Sequence, residues 1–217
     1  VDYGSIDSSF AVNGAEIRCP QGVAHYLEHK MFDMPGENAM QRFSRFGGSP
    51  NAFTSYDITA YYVECTDHVE ENLQILLDMV NTPHFTEESV EKERGIIAQE
   101  IRMYEDSADS QVFERLFAAV FSHHPIRNPI AGTVESIGAI TAQTLYDCFN
   151  TFYTPGNEVL CVVGDVDPEA IFRLAEARVA ARTAGEITRH YGPAETLRPQ
   201  TPLVETRMEV SMPTFAL

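Results

Sequence analysis

Two histidines and a glutamate lie close together at residues 25–29, which read His-Tyr-Leu-Glu-His. The flanking residues are good helix formers without an internal proline, so we expect a helix that follows Gly22 and runs to about Phe32. On a helix, side chains three and four positions apart share a face, which brings His25 and His29 together with Glu28 beside them. Two imidazoles at this spacing can bind one cation, and the carboxylate can take a proton from water. The pattern inverts the His-Glu-x-x-His zinc motif, and it predicts a metal site that still needs a third protein ligand.

A pair of glutamates further along the chain is the candidate for that ligand. The segment from Phe85 to Asp106 is predicted to be a helix capped by Thr86, and Glu93 and Glu100 point toward the middle of its apolar stripe. That stripe comprises Val90, Ile96, Ile97, Ile101, Met103 and Tyr104. A carboxylate on a buried face is costly unless it is paired or bound to a metal.

Each of these two patterns also has a simpler interpretation. The histidine helix could present an ordinary exposed polar face, because a pattern with three fixed positions also arises by chance. A lysine or arginine from elsewhere could pair with Glu93 and Glu100. A shared metal site is the interpretation we favour, because the histidines lack a third ligand and the glutamates lack a partner.

Composition and charge limit the class of protein. With 217 residues, 44% of them hydrophobic and 22% charged, the chain can form one large domain or two small ones. Its 15 basic and 32 acidic residues give a formal charge of −17, which disfavours nucleic acid as a partner. An acidic surface attracts cationic partners such as basic peptides, although it also serves solubility alone. We expect no membrane span and no targeting segment.

The four cysteines are far apart in the sequence and form no Cys-x-x-Cys pair, so a cysteine zinc site is not expected. They are Cys19, Cys65, Cys148 and Cys161. Cys65 and Cys161 lie in apolar, strand-like runs, where a free cysteine behaves as a small buried hydrophobe. This usage predicts a reducing compartment, and we expect a cytoplasmic protein.

The remaining pattern alternates strands and helices. Predicted helices other than those of the two motifs cover 37–46, 69–80, 107–121, 132–140, 141–153 and 168–182. Predicted strands precede Asn13-Gly14 and cover 49–56, 59–66 and 158–163, the last of them buried. From Gly185 the sequence has the character of a linker, and 204–210 alternates like the beginning of another strand. We therefore divide the chain into a domain at 1–184 and, at 185–217, a linker with the beginning of a further domain.

Three motifs in this order resemble the pitrilysin/insulinase family of zinc metallopeptidases, which includes the mitochondrial processing peptidase. They are residues 25–29, the run Gly-Gly-Ser-Pro-Asn-Ala-Phe-Thr at 47–54, and the helix that carries Glu93 and Glu100. The similarity extends from about residue 3 to residue 182 and is strongest to bacterial members. It implies an α+β fold in which helices pack on one face of a mostly antiparallel sheet.

The resemblance also implies roles for individual residues. His25, His29 and Glu100 would bind Zn²⁺, Glu28 would be the general base, and Glu93 would support the ligands without being a principal one. The matching positions at 51–54 imply that Asn51, Ala52, Phe53 and Thr54 belong to an edge strand along which a peptide substrate lies. The expected activity is that of a zinc-dependent endopeptidase.

The sequence departs from the family pattern because it lacks the second half of family members. Family members work as two homologous halves, fused or as separate subunits, that close around a chamber, and this chain resembles the first half only. The Arg-Tyr pair of the second half has no counterpart here, and the opening strand of the family pattern is cut short at Val1. A homologous second half is therefore the expected partner, with low activity expected for the isolated chain.

Two alternatives come from other functional classes. A non-catalytic assembly subunit would keep the fold, although such relatives usually lose the metal motif that is intact here. An S-ribosylhomocysteine lyase shares a His-x-x-Glu-His helix, but its small size and its catalytic cysteine argue against it for this chain.

Overall fold

The computed structural model describes residues 1–179, 182–183, 185–196, 198–199 and 201–216. The α-helices of this part are α1 (Val23–Met31), α2 (Ala39–Arg45), α3 (Val69–Asn81), α4 (Glu87–Asp106), α5 (Ala108–Val120), α6 (Val134–Ile137), α7 (Ala142–Phe152) and α8 (Pro168–Arg178). Short 3₁₀ helices lie at Pro125–Arg127 and Pro155–Asn157. The strands are β1 (Ser9–Val12), β2 (Ala15–Arg18), β3 (Asp33–Met34), β4 (Glu37–Asn38), β5 (Ser49–Thr54), β6 (Thr59–Glu64) and β7 (Ile187–Arg189).

Every strand pairing among these elements is antiparallel. β1 lies between β2 and β7, with Phe10 opposite both Ile17 and Arg189, while β3 pairs with β4 and β5 pairs with β6. The predicted α+β class is confirmed, and the strands are divided among three small sheets in the described part of the chain. None of the described helices is both long and apolar enough to cross a membrane.

The metal-motif helix α1 is held in place at its first turn and along its length. Gly22 precedes it with φ of +88°, and a Cβ there would lie 2.4 Å from the carbonyl oxygen of Ala131. Further along, the Tyr26 hydroxyl donates to the carbonyl oxygen of Val90, and Lys30 Nζ donates to that of Ser89 at 3.2 Å. These bonds fix α1 against the beginning of α4, where the Thr86–Ser89 capping box sets the direction of that helix.

Two hydrophobic clusters support this arrangement. The larger joins α1, α4 and α7, with side chains such as Leu27, Ile97 and Phe149 fully buried. The smaller packs α2 and α3 under the β5–β6 hairpin around Phe43 and Met79. Burial of large apolar side chains is the main stabilising contribution here, at roughly 1.5–3 kcal/mol each.

The predicted buried strand at 158–163 is wrong. No strand forms there among the described residues, and the relative exposure of Val159 and Val163 is 90% and 93%. Cys161 is also exposed, so its predicted burial is wrong as well. Apolar β-branched sequence favours a strand, but a strand needs a hydrogen-bonded neighbour, which this segment lacks within the structure.

Other predicted boundaries change for similar non-local reasons. Residues 187–189, placed in a linker by the sequence, form β7 because β1 offers them a free edge. The expected strand at 204–210 does not form in the described part of the chain, and most of that segment is exposed. The helix expected at 132–140 shortens to α6, and the loop after Asn13–Gly14 contains β2.

Candidate metal centre

The histidine motif lies on one face of α1, as helical spacing requires. The ring centroids of His25 and His29 are 4.7 Å apart. His25 and Glu28 are buried, with relative exposures of 7% and 8%, whereas His29 is half-buried. This pattern contradicts the interpretation of the motif as an exposed polar face.

Helix α4 crosses this face and brings both glutamates to it. Glu100 lies between the histidines, with Oε1 3.6 Å from His25 Nε2 and Oε2 3.3 Å from His29 Nε2. Glu93 Oε1 lies 3.0 Å from His29 Nδ1. Among the described residues, Glu93 and Glu100 pair with histidines. The alternative, in which a lysine or arginine pairs with them, is not what the structure shows.

The predicted position of the glutamates within the apolar stripe needs correction. Ile96 and Met103 are exposed, at 50% and 59%, and only Val90, Ile97 and Ile101 of the predicted stripe are buried. At about 100° per residue, the buried face is therefore narrower than predicted, and both glutamates lie at its edge. An edge position leaves each carboxylate half-buried and able to contact α1.

Three of these side chains form a cluster suited to a cation. One ligand atom from each of His25, His29 and Glu100 can be chosen so that all lie within 4.8 Å of one another. Two imidazole nitrogens and one carboxylate oxygen match the donor set of catalytic zinc sites, which keep a fourth position open. The contact between Glu93 and His29 Nδ1 leaves Nε2 of that ring free for a metal, as carboxylate–histidine–zinc arrangements require. The residues present therefore fit zinc.

Without a metal, the pKa values of His29 and Glu100 are shifted in opposite directions by their contact. Burial by itself lowers the pKa of His29, but hydrogen bonds to Glu100 and Glu93 outweigh it and raise that pKa to about 9. Hydrogen bonds from His25 and His29 hold the pKa of Glu100 far below its usual range. A metal must therefore displace a proton from His29 when it binds.

Glu28 is held by a residue of the neighbouring hairpin. The Thr54 hydroxyl, at the end of β5, donates to Glu28 Oε2 at 2.6 Å. This bond fixes one carboxylate oxygen of Glu28, a side chain that is buried on α1. On the other side of the site, the Tyr104 hydroxyl donates to Glu100 Oε1 at 2.7 Å.

The remaining predicted residues lie along β5. This strand pairs only with β6 among the described strands, so its other edge is free. Asn51 and Phe53 are exposed, whereas Ala52 and Thr54 are half-buried. The Asn51 side chain accepts a hydrogen bond from the amide of Ala52 at 2.8 Å. The structure thus brings Thr54 into the site and leaves Asn51 to Phe53 along the edge that leads away from it.

Residues that sequence reasoning did not select also shape the site. Tyr26 and Lys30 attach α1 to α4, and Tyr104 holds Glu100. Lys30 is only 1% exposed, and such burial is unusual for a lysine. Its ammonium group pairs with Asp33. Tyr104 was placed on the apolar stripe, and its spacing of four residues from Glu100 could have indicated the contact.

Comparisons with known proteins place the chain in a family. Residues 15–134 match the family model described as insulinase (peptidase family M16), and residues 139–216 match the one described as the peptidase M16 inactive domain. The uncharacterized zinc protease YmfH of Bacillus subtilis (strain 168) is 50% identical over 171 residues, which are 78% of this chain and 40% of that protein. The mitochondrial-processing peptidase subunit beta of Caenorhabditis elegans is 32% identical over 178 residues, 80% of this chain and 39% of that protein.

A solved structure extends the similarity to three dimensions. The M16-like peptidase from Alicyclobacillus acidocaldarius superimposes with a TM-score of 0.87 at 41% sequence identity, covering 92% of this chain and 48% of that one. The chain therefore spans less than half the length of each of these relatives.

Proposed function

Because the chain belongs to the insulinase family, peptidase family M16, we propose that it is the zinc-binding half of an endopeptidase. The observation that carries the proposal is the convergence of His25, His29 and Glu100, with ligand atoms within 4.8 Å, beside a buried Glu28. The relatives named above include an uncharacterized zinc protease and a processing peptidase subunit, which supports the same class of reaction.

In this proposal His25, His29 and Glu100 hold the zinc, and Glu93 orients His29 through its Nδ1. When bound, zinc lowers the pKa of a water molecule toward about 7 and polarises the scissile carbonyl. As general base, Glu28 would take a proton from the attacking water as its oxygen bonds to the scissile carbonyl carbon, and would deliver that proton to the amine nitrogen as the C–N bond breaks. The bond from Thr54 holds Oε2 of Glu28 in place.

We propose that the peptide substrate binds along the free edge of β5. An extended peptide placed there would gain main-chain hydrogen bonds largely regardless of its sequence, with Asn51, Ala52 and Phe53 beside it. Because β5 ends at Thr54, next to Glu28, such a peptide would reach the metal centre at one end of the strand.

A second half completes the proposed enzyme. We propose that residues 1–184 form the zinc-binding domain and that 185–217 lead into a homologous second half, which closes over the site like a clamshell. The chain's coverage of less than half of its relatives supports this arrangement.

All four cysteines are free, which suits a reducing compartment such as the bacterial cytoplasm.

Glu28→Gln tests the assignment of the general base. The variant should retain stoichiometric zinc, because Glu28 is not a ligand, and should lose at least about a hundredfold in cleavage of a quenched basic peptide. Glu100→Ala should instead lose zinc on dialysis. Zinc content by elemental analysis and cleavage rates, each with and without an added second half, provide both measurements.

Glu88→Gln is the matched control, since Glu88 is exposed on the same helix as Glu100. Undiminished cleavage by Glu28→Gln would contradict its role as base. Zinc-loaded wild-type protein that cleaves nothing even with a second half would favour the non-catalytic assembly subunit. Stoichiometric zinc in Glu100→Ala would remove that residue from the ligand set.

A further inference from the structure

Two cysteines that are far apart in the sequence meet where the loop before α1 packs against α7. Cys19 lies in the loop between β2 and α1, and Cys148 lies on α7. Their Sγ atoms are 3.4 Å apart, although the two residues are 129 positions apart in the chain. Cys148 is fully buried in the larger hydrophobic cluster, and Cys19 is half-buried against it. One of the two thiols is therefore open to small reagents.

The two sulfur atoms can form a disulfide with little movement. An S–S bond is about 2.05 Å long, so the sulfur atoms must approach each other by a further ~1.4 Å. Rotations about the two Cα–Cβ bonds move sulfur atoms over distances of this size. The Cys19 amide donates to the carbonyl oxygen of Ser8 at 2.8 Å, and Cys148 lies within a helix. Both backbones are thus held in place with the thiols in contact.

A metal site is not what this pair supports. Zinc bound through cysteines needs further protein ligands, usually to a total of four. Among the residues that the structure describes, the cluster able to hold a metal consists of His25, His29 and Glu100, and neither cysteine belongs to it. Oxidation to a disulfide is the reaction that two thiols in contact can undergo instead.

The two thiols differ in reactivity. A hydrogen bond from Cys148 lowers the pKa of Cys19, against the opposing effects of burial and of Asp147. The same hydrogen bond, together with burial, raises the pKa of Cys148 well above its ordinary value. Because the thiolate is the form that attacks an oxidant, the more exposed Cys19 reacts first. Cys148 is then placed to attack the oxidised sulfur of Cys19.

We propose that Cys19 and Cys148 are a redox-sensitive pair that closes into a reversible disulfide when the protein meets hydrogen peroxide. The Cys19 thiolate attacks one peroxide oxygen, the O–O bond breaks, and hydroxide leaves a sulfenic acid on Cys19. The Cys148 sulfur then attacks the Cys19 sulfur, the S–O bond breaks, and the hydroxyl leaves with the Cys148 proton as water. The two thiols lose two electrons, which the peroxide gains. A dithiol reductant reverses the reaction by thiol–disulfide exchange.

The disulfide would enclose most of the zinc-binding domain. Helices α1 to α6 lie between Cys19 and Cys148, and with them every residue proposed to bind zinc or to act as general base. A bridge that closes so long a loop restricts the unfolded chain and stabilises the fold. Disulfides of reducing compartments are usually transient ones that sense redox conditions or take part in catalysis. The pair therefore links an oxidising signal to the stability of the domain, independently of peptidase activity.

Brief treatment of the 217-residue protein with hydrogen peroxide, followed by alkylation, tests the proposal. Digestion after lysine, arginine and glutamate separates the cysteines, because Glu158 lies between Cys148 and Cys161. Mass spectrometry without reduction should find the Cys19 peptide joined to the Cys148 peptide with the loss of two hydrogen atoms. The melting temperature should rise by about 5–10 °C on oxidation. Dithiothreitol should reverse both changes.

Three variants assign the roles of the thiols. Cys161→Ser is the matched control, because it removes an exposed thiol and should keep both the link and the rise in melting temperature. Cys148→Ala removes the second thiol, so a dimedone probe should trap at least about tenfold more sulfenic acid on Cys19 than in the wild-type protein. Cys19→Ser should abolish the link and the rise, and should leave the buried Cys148 unoxidised.

Peroxide treatment that leaves Cys19 and Cys148 unlinked, or that links either of them to Cys65 or Cys161, would overturn the proposal. A disulfide between two copies of the chain, seen as a doubled mass on a non-reducing gel, would do the same. An equal rise in melting temperature in Cys19→Ser would show that the pair is not its cause. A link that forms without any rise would overturn the stabilising role.

Discussion

At the scale of single residues, the chemistry of this site depends on which side chain contacts each carboxylate. Glu100 contacts both histidines, Glu93 orients His29, and Thr54 fixes Glu28. Each carboxylate therefore has a different partner, and the three differ in what they can do. Among the three described carboxylates, Glu28 is the one paired with a hydroxyl and not with an imidazole, which suits the role of general base proposed for it.

Thr54→Val should lower the turnover of the zinc-loaded protein about tenfold, because the hydroxyl that fixes Glu28 is lost while the volume is kept. KM and zinc content should change little, since the Thr54 hydroxyl donates to Glu28, which is not a proposed metal ligand. Thr54→Ser, which retains a hydroxyl, should recover most of the turnover. Steady-state kinetics of the three proteins provide the measurement, and equal turnover in Val and Ser variants would contradict the role.

The stability of the metal-free protein should depend on pH through the same cluster. The pKa of His29 is raised from 6.5 to about 9 in the fold, so its contribution is complete below about pH 6.5 and is lost as pH rises through about 9. The pKa of Glu100 is lowered, so its contribution is present above about 4.5 and is lost as pH falls below that value. Metal-free stability should therefore be greatest between these limits.

Urea unfolding in the presence of a chelator, from pH 4 to 10, measures this dependence. Bound zinc should remove the alkaline decline, because the metal replaces the proton on His29. Glu100→Gln should weaken the decline without zinc. Metal-free stability that increases from pH 7 to 10 would contradict the assigned His29 pairing.

At the scale of elements, the site depends on the angle at which α1 leaves its preceding loop. Gly22 adopts φ of +88° at that point, and the carbonyl oxygen of Ala131 lies where a Cβ would be. The opposite loop has the same constraint, since a Cβ on Gly132 would lie 2.5 Å from the carbonyl oxygen of Gln21. These two close approaches, together with the bonds of Tyr26 and Lys30 to α4, set where both histidines point.

Gly22→Ala should destabilise the protein more than Gly36→Ala and should weaken zinc binding. Gly36 is the matched control, because its φ of +87° is nearly the same but no atom lies within 4 Å of its Cβ position. The shared backbone strain costs about 1–2 kcal/mol, and the clash at Gly22 adds about 1–3 kcal/mol. Denaturant unfolding and zinc titration check this, and equal effects of the two variants would contradict a steric requirement at Gly22.

At the scale of the whole molecule, the net charge determines which ligands the protein attracts. The formal charge of −17 surrounds a site that itself uses three carboxylates. Such a field raises the local concentration of cationic ligands and is screened by salt. The chain also spans less than half the length of these relatives.

Cleavage of a basic peptide should therefore lose at least about fivefold in kcat/KM between about 0.05 and 0.5 M salt, since the Debye length shortens from roughly 14 to 4 Å. A neutral peptide with the same scissile residues is the control and should change little. Rates for both peptides, measured at equal zinc occupancy, test the effect. The same salt response for the two peptides would show that the acidic surface serves solubility alone.

Much of the fold and part of the site follow from local sequence rules. Helix α1 and helix α4 form close to their predicted limits, because their periodicity and the Thr86 cap act within a few residues. The β5–β6 hairpin follows equally from the β-branched and aromatic pattern of its residues, whereas the edge position of β5 was implied only by the family resemblance. Residues 158–163 carry a similar pattern without forming a strand, because strand formation also requires a partner at hydrogen-bonding distance.

The sequence by itself determined that His25, Glu28 and His29 share a helix face and that Glu93 and Glu100 share another, since both facts depend only on helical spacing. Tertiary structure decided which atoms meet: Glu100 lies between the two histidines, Glu93 contacts one ring nitrogen of His29, and Thr54 donates to Glu28. It also decided that the buried face of α4 is narrower than the apolar stripe predicted from the sequence. The physical reason is that burial and hydrogen bonding depend on how two elements cross, and no single element encodes that angle.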